Sequence, residues 1–128
     1  MIKNFKIMDA VALSFEDGYF DLHNDFKITR LKNNGQDLAI IFSSLKDDER
    51  NGSIELIFHE FSYFESDVFP LTSECLFISE MGYKNPDDMD CDWLLSEKSS
   101  VAGDHLFFRF DADRFLRIFA RHAEVRIF

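Results

Sequence analysis

The stretch "HLFFRFDADRFLRIFARHAEVRIF", His105 to Phe128, decides between an all-β chain and an α+β chain. Its opening, His105 to Phe110, alternates as a strand does, with successive side chains on opposite faces. Two readings follow. As a helix started by Asp111, segment 111–123 and the residue after it place Arg114, Arg117, Arg121 and Glu124 on one face, and Phe115, Ile118, Phe119 and His122 on the other. As a strand returning through the "DAD" turn, it alternates Phe115, Arg117, Phe119 and Arg121 less cleanly. The helix is slightly preferred and the strand stays open, with "EVRIF" closing as a short strand in either case.

Upstream the pattern is a β-meander. In "VALSFEDGYFDLH" the pair Asp17-Gly18 is a two-residue hairpin signal, because a type I′ turn needs positive φ at both positions. Folding there sets Phe15 opposite Phe20 and Leu13 opposite Leu22, so one face is apolar. A three-residue loop "NNG" with Gly35 left-handed then pairs Ile28 with Ile40 and Phe26 with Phe42. After the polar loop Ser44 to Gly52, "SIELIFHEF" alternates with Ile54, Leu56 and Phe58 inward. "CLFIS", Cys75 to Ser79, is a fifth strand; Met81 to Ser100 reads mostly as loop, with a helical turn in "CDWLLSEK". The expected fold is a single domain over 1–128, mainly antiparallel β (meander, sheet or partly open barrel), and α+β if 111–123 is helical.

At 128 residues, with sixteen phenylalanines, the chain has the means to bury a real core. Its formal charge of -10 argues against nucleic acid, whose phosphates draw clustered Lys and Arg, and favours a cationic partner. From Ser53 to Glu97 eleven acidic residues face one base, Lys84, a difference equal to the whole net charge. Two cysteines, Cys75 and Cys91, make no metal spacing and read as reduced thiols. Asp9 interrupts the apolar N-terminus and no apolar run is long enough to span a membrane, so the expected setting is cytoplasmic.

"NPDDMDCDWLL", Asn85 to Leu95, packs four aspartates into six positions before the single tryptophan. Asp88, Asp90 and Asp92 match positions 1, 3 and 5 of a helix-loop-helix calcium loop, but Trp93 stands where glycine must bend it and Ser99 where a glutamate must close it. With twenty-four acidic residues, a carboxylate pair suited to glycoside hydrolysis arises by chance. His23, His59, His105 and His122 stand far apart, without HxH or HExxH grouping, and no nucleophile or phosphate-loop motif is present. No catalytic residue, metal ligand or cofactor is assigned.

What remains is an acidic, aromatic middle in which carboxylates steer a basic partner and Tyr and Trp anchor it. The candidate contact residues are Glu65, Asp67, Tyr83, Asp87, Asp88, Asp90, Asp92 and Trp93. The competing view makes Phe58, Phe61, Phe64 and Phe69 core and the carboxylates mere solubilisers. The segments "DAVALSFEDGYFDLHND", "GQDLAIIF" and "GSIELIFHEF" resemble small acidic bacterial β-rich domains, among them polymorphic-toxin immunity proteins. That resemblance implies a stand-alone cytoplasmic protein that blocks a cognate toxin by binding it, and transfers no functional residue. The alternative function is small-molecule binding or hydrolysis in a pocket of the sheet, distinguished by whether carboxylates converge in a concavity or spread over a convex face.

Overall fold

In a computed structural model, which describes residues 1–46, 52–68, 76–90 and 92–128, alternating apolar residues form strands throughout. These are β1 (Ile2–Lys3), β2 (Phe5–Met8), β3 (Ala12–Phe15), β4 (Gly18–Asp21), β5 (Phe26–Asn33), β6 (Leu38–Ser44), β7 (Ser53–His59), β8 (Tyr63–Ser66), β9 (Ile78–Lys84), β10 (His105–Phe110), β11 (Phe115–Phe119) and β12 (His122–Ile127). They make a five-stranded sheet in the order β1-β12-β7-β6-β5, a four-stranded sheet β8-β11-β10-β9 and a three-stranded sheet β2-β3-β4. Pairing is antiparallel apart from β1 with β12. The fold is thus mainly antiparallel β, in sheets that do not close into a barrel. Among the described residues no helix is long and apolar enough to cross a membrane.

The preferred helix over 111–123 is not formed. Asp111–Asp113 makes a short 3-10 turn in which Ala112 and Asp113 take positive φ (59° and 57°), and the chain returns as β11 against β10. The period-2 face that decides this is Leu116, Ile118 and Ala120, all fully buried. A helix would keep Leu116 and Ala120 on one face and turn Ile118 to the opposite one, whereas a strand puts all three on the same face. The alternation in Phe115, Arg117 and Phe119 looked poor because that face is covered by another part of the chain, not by solvent.

Both hairpins keep the expected faces but not the expected partners. In the first, Phe15 pairs with Gly18 and Leu13 with Phe20, so Glu16 and Asp17 form the turn and Glu16 takes the left-handed φ of 54°. Gly18 serves a different need: a Cβ there would lie 2.7 Å from the Phe20 ring. Leu13 and Leu22 are fully buried, while Phe15 and Phe20 are only half-buried against the core. In the second, Gly35 is left-handed as expected (φ 87°), but Phe26 pairs with Ser44 and Ile28 with Phe42, and a bulge at Thr29 shifts the register toward the turn. Each slip moves the partner by two residues, which preserves the buried face.

Ile54, Leu56 and Phe58 point inward as expected. The inner faces of the five- and four-stranded sheets feed one core cluster, in which the Phe58 and Phe108 rings meet edge to face at 6.2 Å. Two backbone hydrogen bonds between Ile28 and Leu76 (2.8 and 3.3 Å) tie β5 to the segment leading into β9. The expected fifth strand is displaced toward the C-terminus: β9 runs through Met81 to Lys84, where the sequence pattern predicts loop, because Met81 and Tyr83 bury inward. The helical turn lies at Glu97–Ser99, at the end of the segment where it was expected. Phe69, Cys75, Cys91 and the thiol state expected of the two cysteines lie outside the described residues.

Candidate functional site

Register across the four-stranded sheet sets Glu65, Arg117, Phe107 and Gly82 in one outward-facing row, with His105 beside Lys84 in the next. An outward Lys or Arg ordinarily sits in water. Here Lys84 is 1% and Arg117 2% exposed. The acidic loop after β9 folds back over them. Arg117 donates through Nη1 to the carbonyl of Asp88 (2.7 Å), through Nη2 to that of Asn85 (3.0 Å) and through Nε to His105 Nδ1 (2.9 Å). Lys84 Nζ donates to Asp90 Oδ1 (2.8 Å) and Asp88 Oδ2 (3.2 Å).

The aspartate spacing has a local cause as well. Asn85, Asp88 and Asp90 each accept the backbone N–H two residues ahead, at 2.9, 3.1 and 3.0 Å, so the loop is a run of Asx turns. The one-three-five pattern that suggested a calcium loop is turn chemistry, and the Lys84 ammonium already bridges Asp88 and Asp90. Among the described residues no three His, Cys, Asp or Glu side chains are grouped to hold a metal.

The electrostatics follow from this packing. Burial alone would lower the Lys84 pKa, but the bonds to Asp90 and Asp88 outweigh it and hold it above its ordinary value. Lys84 in turn holds the Asp90 carboxyl below the usual range. Burial and the neighbouring Arg117 charge push the His105 imidazole down, against a weaker pull from Asp104. His105 accepts at Nδ1 from Arg117 and is therefore neutral, packed against Tyr63 with ring centroids 4.4 Å apart and ring planes tilted by 32°.

The structure separates the eight expected contact residues. Asp87, Asp92 and Trp93 are exposed, Trp93 at 76%. Asp88 and Asp90 have solvent access but are committed to Lys84. Glu65 and Asp67 are exposed at the β8 edge, where Glu65 accepts from the Tyr63 hydroxyl (2.7 Å) and Asp67 from the Phe115 N–H (2.9 Å). Tyr83 is not a surface residue: it is 3% exposed, because it turns into the core beside Met81 on β9. Its hydroxyl donates to Glu97 (2.6 Å). Of the phenylalanines proposed as core, Phe58 is buried and Phe61 and Phe64 pack half-buried against the cluster.

Beside the loop lies a groove of about 590 Å³. Its floor is the β9 edge at Glu80 and Met81. One wall is the β2–β3 turn, anchored by the Met81 N–H donating to the carbonyl of Ala10 (2.7 Å). The other is segment 92–97, anchored by reciprocal hydrogen bonds between Tyr83 and Leu95 (2.9 and 2.8 Å). Gly82 permits that approach, since a Cβ there would lie 2.8 Å from both Leu94 Cβ and the Leu95 carbonyl oxygen. Among the described residues, the charged side chains lining the groove are Asp9, Glu80, Asp92 and Glu97, with no base.

Glu97 is structural. It accepts from Lys3 (2.9 Å), the Ile7 N–H (2.8 Å) and Tyr83, and these bonds outweigh burial and hold its carboxyl low. Glu80 pairs with Arg109 at 2.7 Å, and Asp9, at positive φ (53°), accepts from Tyr19 (3.0 Å). Sequence reasoning named none of Asp9, His105, Arg117 or Glu97 as part of a site. The one available signal was Lys84, a lone base in an acidic run. Compared with protein-family models, curated proteins and solved structures, the chain matches none.

Proposed function

We propose that this protein is a non-enzymatic binding module whose acidic face engages a basic protein, with a toxin-immunity role in the bacterial cytoplasm as the concrete form. One observation carries the reading. The only Lys or Arg between Ser53 and Glu97 is turned inward against Asp88 and Asp90, which leaves Asp87 and Asp92 exposed in the segment that presents Trp93, while Glu65 and Asp67 are exposed at the β8 edge. Uncompensated surface carboxylates speed the approach of a cationic partner, and an exposed aromatic supplies area to bury on docking.

Hydrolysis is less well supported. Glu97, the most shielded carboxyl of the groove, is held low by three donors, whereas an acid catalyst must keep its proton. The test is to titrate the protein with a panel of small basic proteins and acidic controls, following Trp93 emission at low and high salt. Binding of basic members alone, weakened by salt, is expected. Equal binding of both classes, or of neither, contradicts the proposal.

A further inference from the structure

Resting on that reading, we infer that the Trp93 groove is the anchoring subsite, and that it takes an arginine side chain from an exposed segment of the basic partner. Three features converge on this occupant. First, the groove is a built concavity, since both walls are hydrogen-bonded to the β9 edge, and its size of about 590 Å³ falls in the range of small-ligand pockets. Second, its charge is of one sign. With Glu97 saturated and Glu80 paired to Arg109, Asp9 and Asp92 are left to meet a cation, and no ion pair to either is formed among the described residues.

Third, Trp93 stands at the rim at 76% exposure, although an indole is among the costliest side chains to leave in water. The accessible apolar surfaces of Leu94 and Ala10 also line the groove. A guanidinium suits this combination better than an ammonium. It is planar and weakly hydrated, stacks on an indole, and still offers in-plane donors to flanking carboxylates. Its aliphatic stem would cover the Leu94 and Ala10 surfaces.

The experiment uses the full chain and three peptides of one length, uncharged except for arginine, lysine or glutamate at the same spaced positions, followed through Trp93 emission and by calorimetry. The arginine peptide should bind severalfold more tightly than the lysine peptide, and the glutamate peptide should not bind. Trp93→Ala should weaken the arginine peptide at least tenfold, Trp93→Phe less, and Asp92→Asn severalfold; both positions are exposed, so the fold is retained. Arginine-peptide binding unchanged in Trp93→Ala but lost on neutralising Glu65, Asp67 and Asp87 would overturn the groove assignment and leave the acidic-face reading standing. Equal affinity for arginine and lysine would overturn the guanidinium preference. If neither the peptides nor the basic proteins bind, both the subsite and the proposed function fall.

Discussion

Arg117→Met removes the guanidinium that pins the acidic loop to the four-stranded sheet while keeping an apolar stem of similar length. Three charge-assisted hydrogen bonds disappear, each of the kind worth about 1.5 to 3 kcal/mol. They do not simply add. The carbonyls of Asn85 and Asp88 belong to a solvent-facing loop and can turn to water, whereas His105 Nδ1 is buried and stays unmet. A net loss of about 1 to 3 kcal/mol follows, the cost of leaving one buried neutral acceptor without its donor. At this chain length that is roughly 4 to 12 °C in Tm. Urea unfolding followed by circular dichroism measures the loss; limited proteolysis and Trp93 emission report loop release. His105 should also titrate higher in the variant, though only partly, because burial is the larger cause of its depression. A loss under about 1 kcal/mol with loop and tryptophan unchanged would refute the pinning role.

The four clustered aspartates should divide into two pairs. Asp87→Asn with Asp92→Asn leaves the melting temperature unchanged, whereas Asp88→Asn with Asp90→Asn lowers it, because Lys84 is then buried without a counter-charge; calcium should raise neither midpoint. Since His105 has a folded pKa below its unfolded value, stability is full above pH 6.5 and falls as pH drops below that value. A His105→Gln variant should lose that slope, and the depressed carboxyls Asp90 and Glu97 add a separate loss only at lower pH. Gly82→Ala should push segment 94–95 off β9 and cost about 1 to 3 kcal/mol by overpacking, with a shift in Trp93 emission.

The hairpin faces were legible because a buried face imposes period 2, and Leu13, Leu22, Ile54, Leu56 and Phe58 obey it. The registers were not. Glu16 bears a positive φ that turn preferences assign to Asn, Asp or Gly, and the bulge at Thr29 leaves no compositional mark. At the C-terminus the alternation was written in Leu116, Ile118 and Ala120, but Arg117 disguised it. An arginine reads as solvated until its acceptors are known, and those are carbonyls of a loop distant in sequence.

The acidic loop posed the same difficulty in reverse. Its aspartates looked like a surface, yet two of them neutralise a buried lysine and the run is held by Asx turns. The Glu97 node was out of reach altogether, because its donors Lys3 and Ile7 come from the opposite end of the chain. Trp93 was legible only as a single tryptophan beside acids; its exposure and its groove required the strand edge of β9 to be in place.

The most direct test of the proposed function is the association rate with a basic protein as ionic strength is raised, measured for the wild-type chain and for the variant Glu65→Gln, Asp67→Asn, Asp87→Asn, Asp92→Asn. The expected result is a wild-type rate that falls steeply with salt and a variant rate that is slower and nearly flat, at unchanged melting temperature. A wild-type rate indifferent to salt, or identical in the two chains, would contradict it.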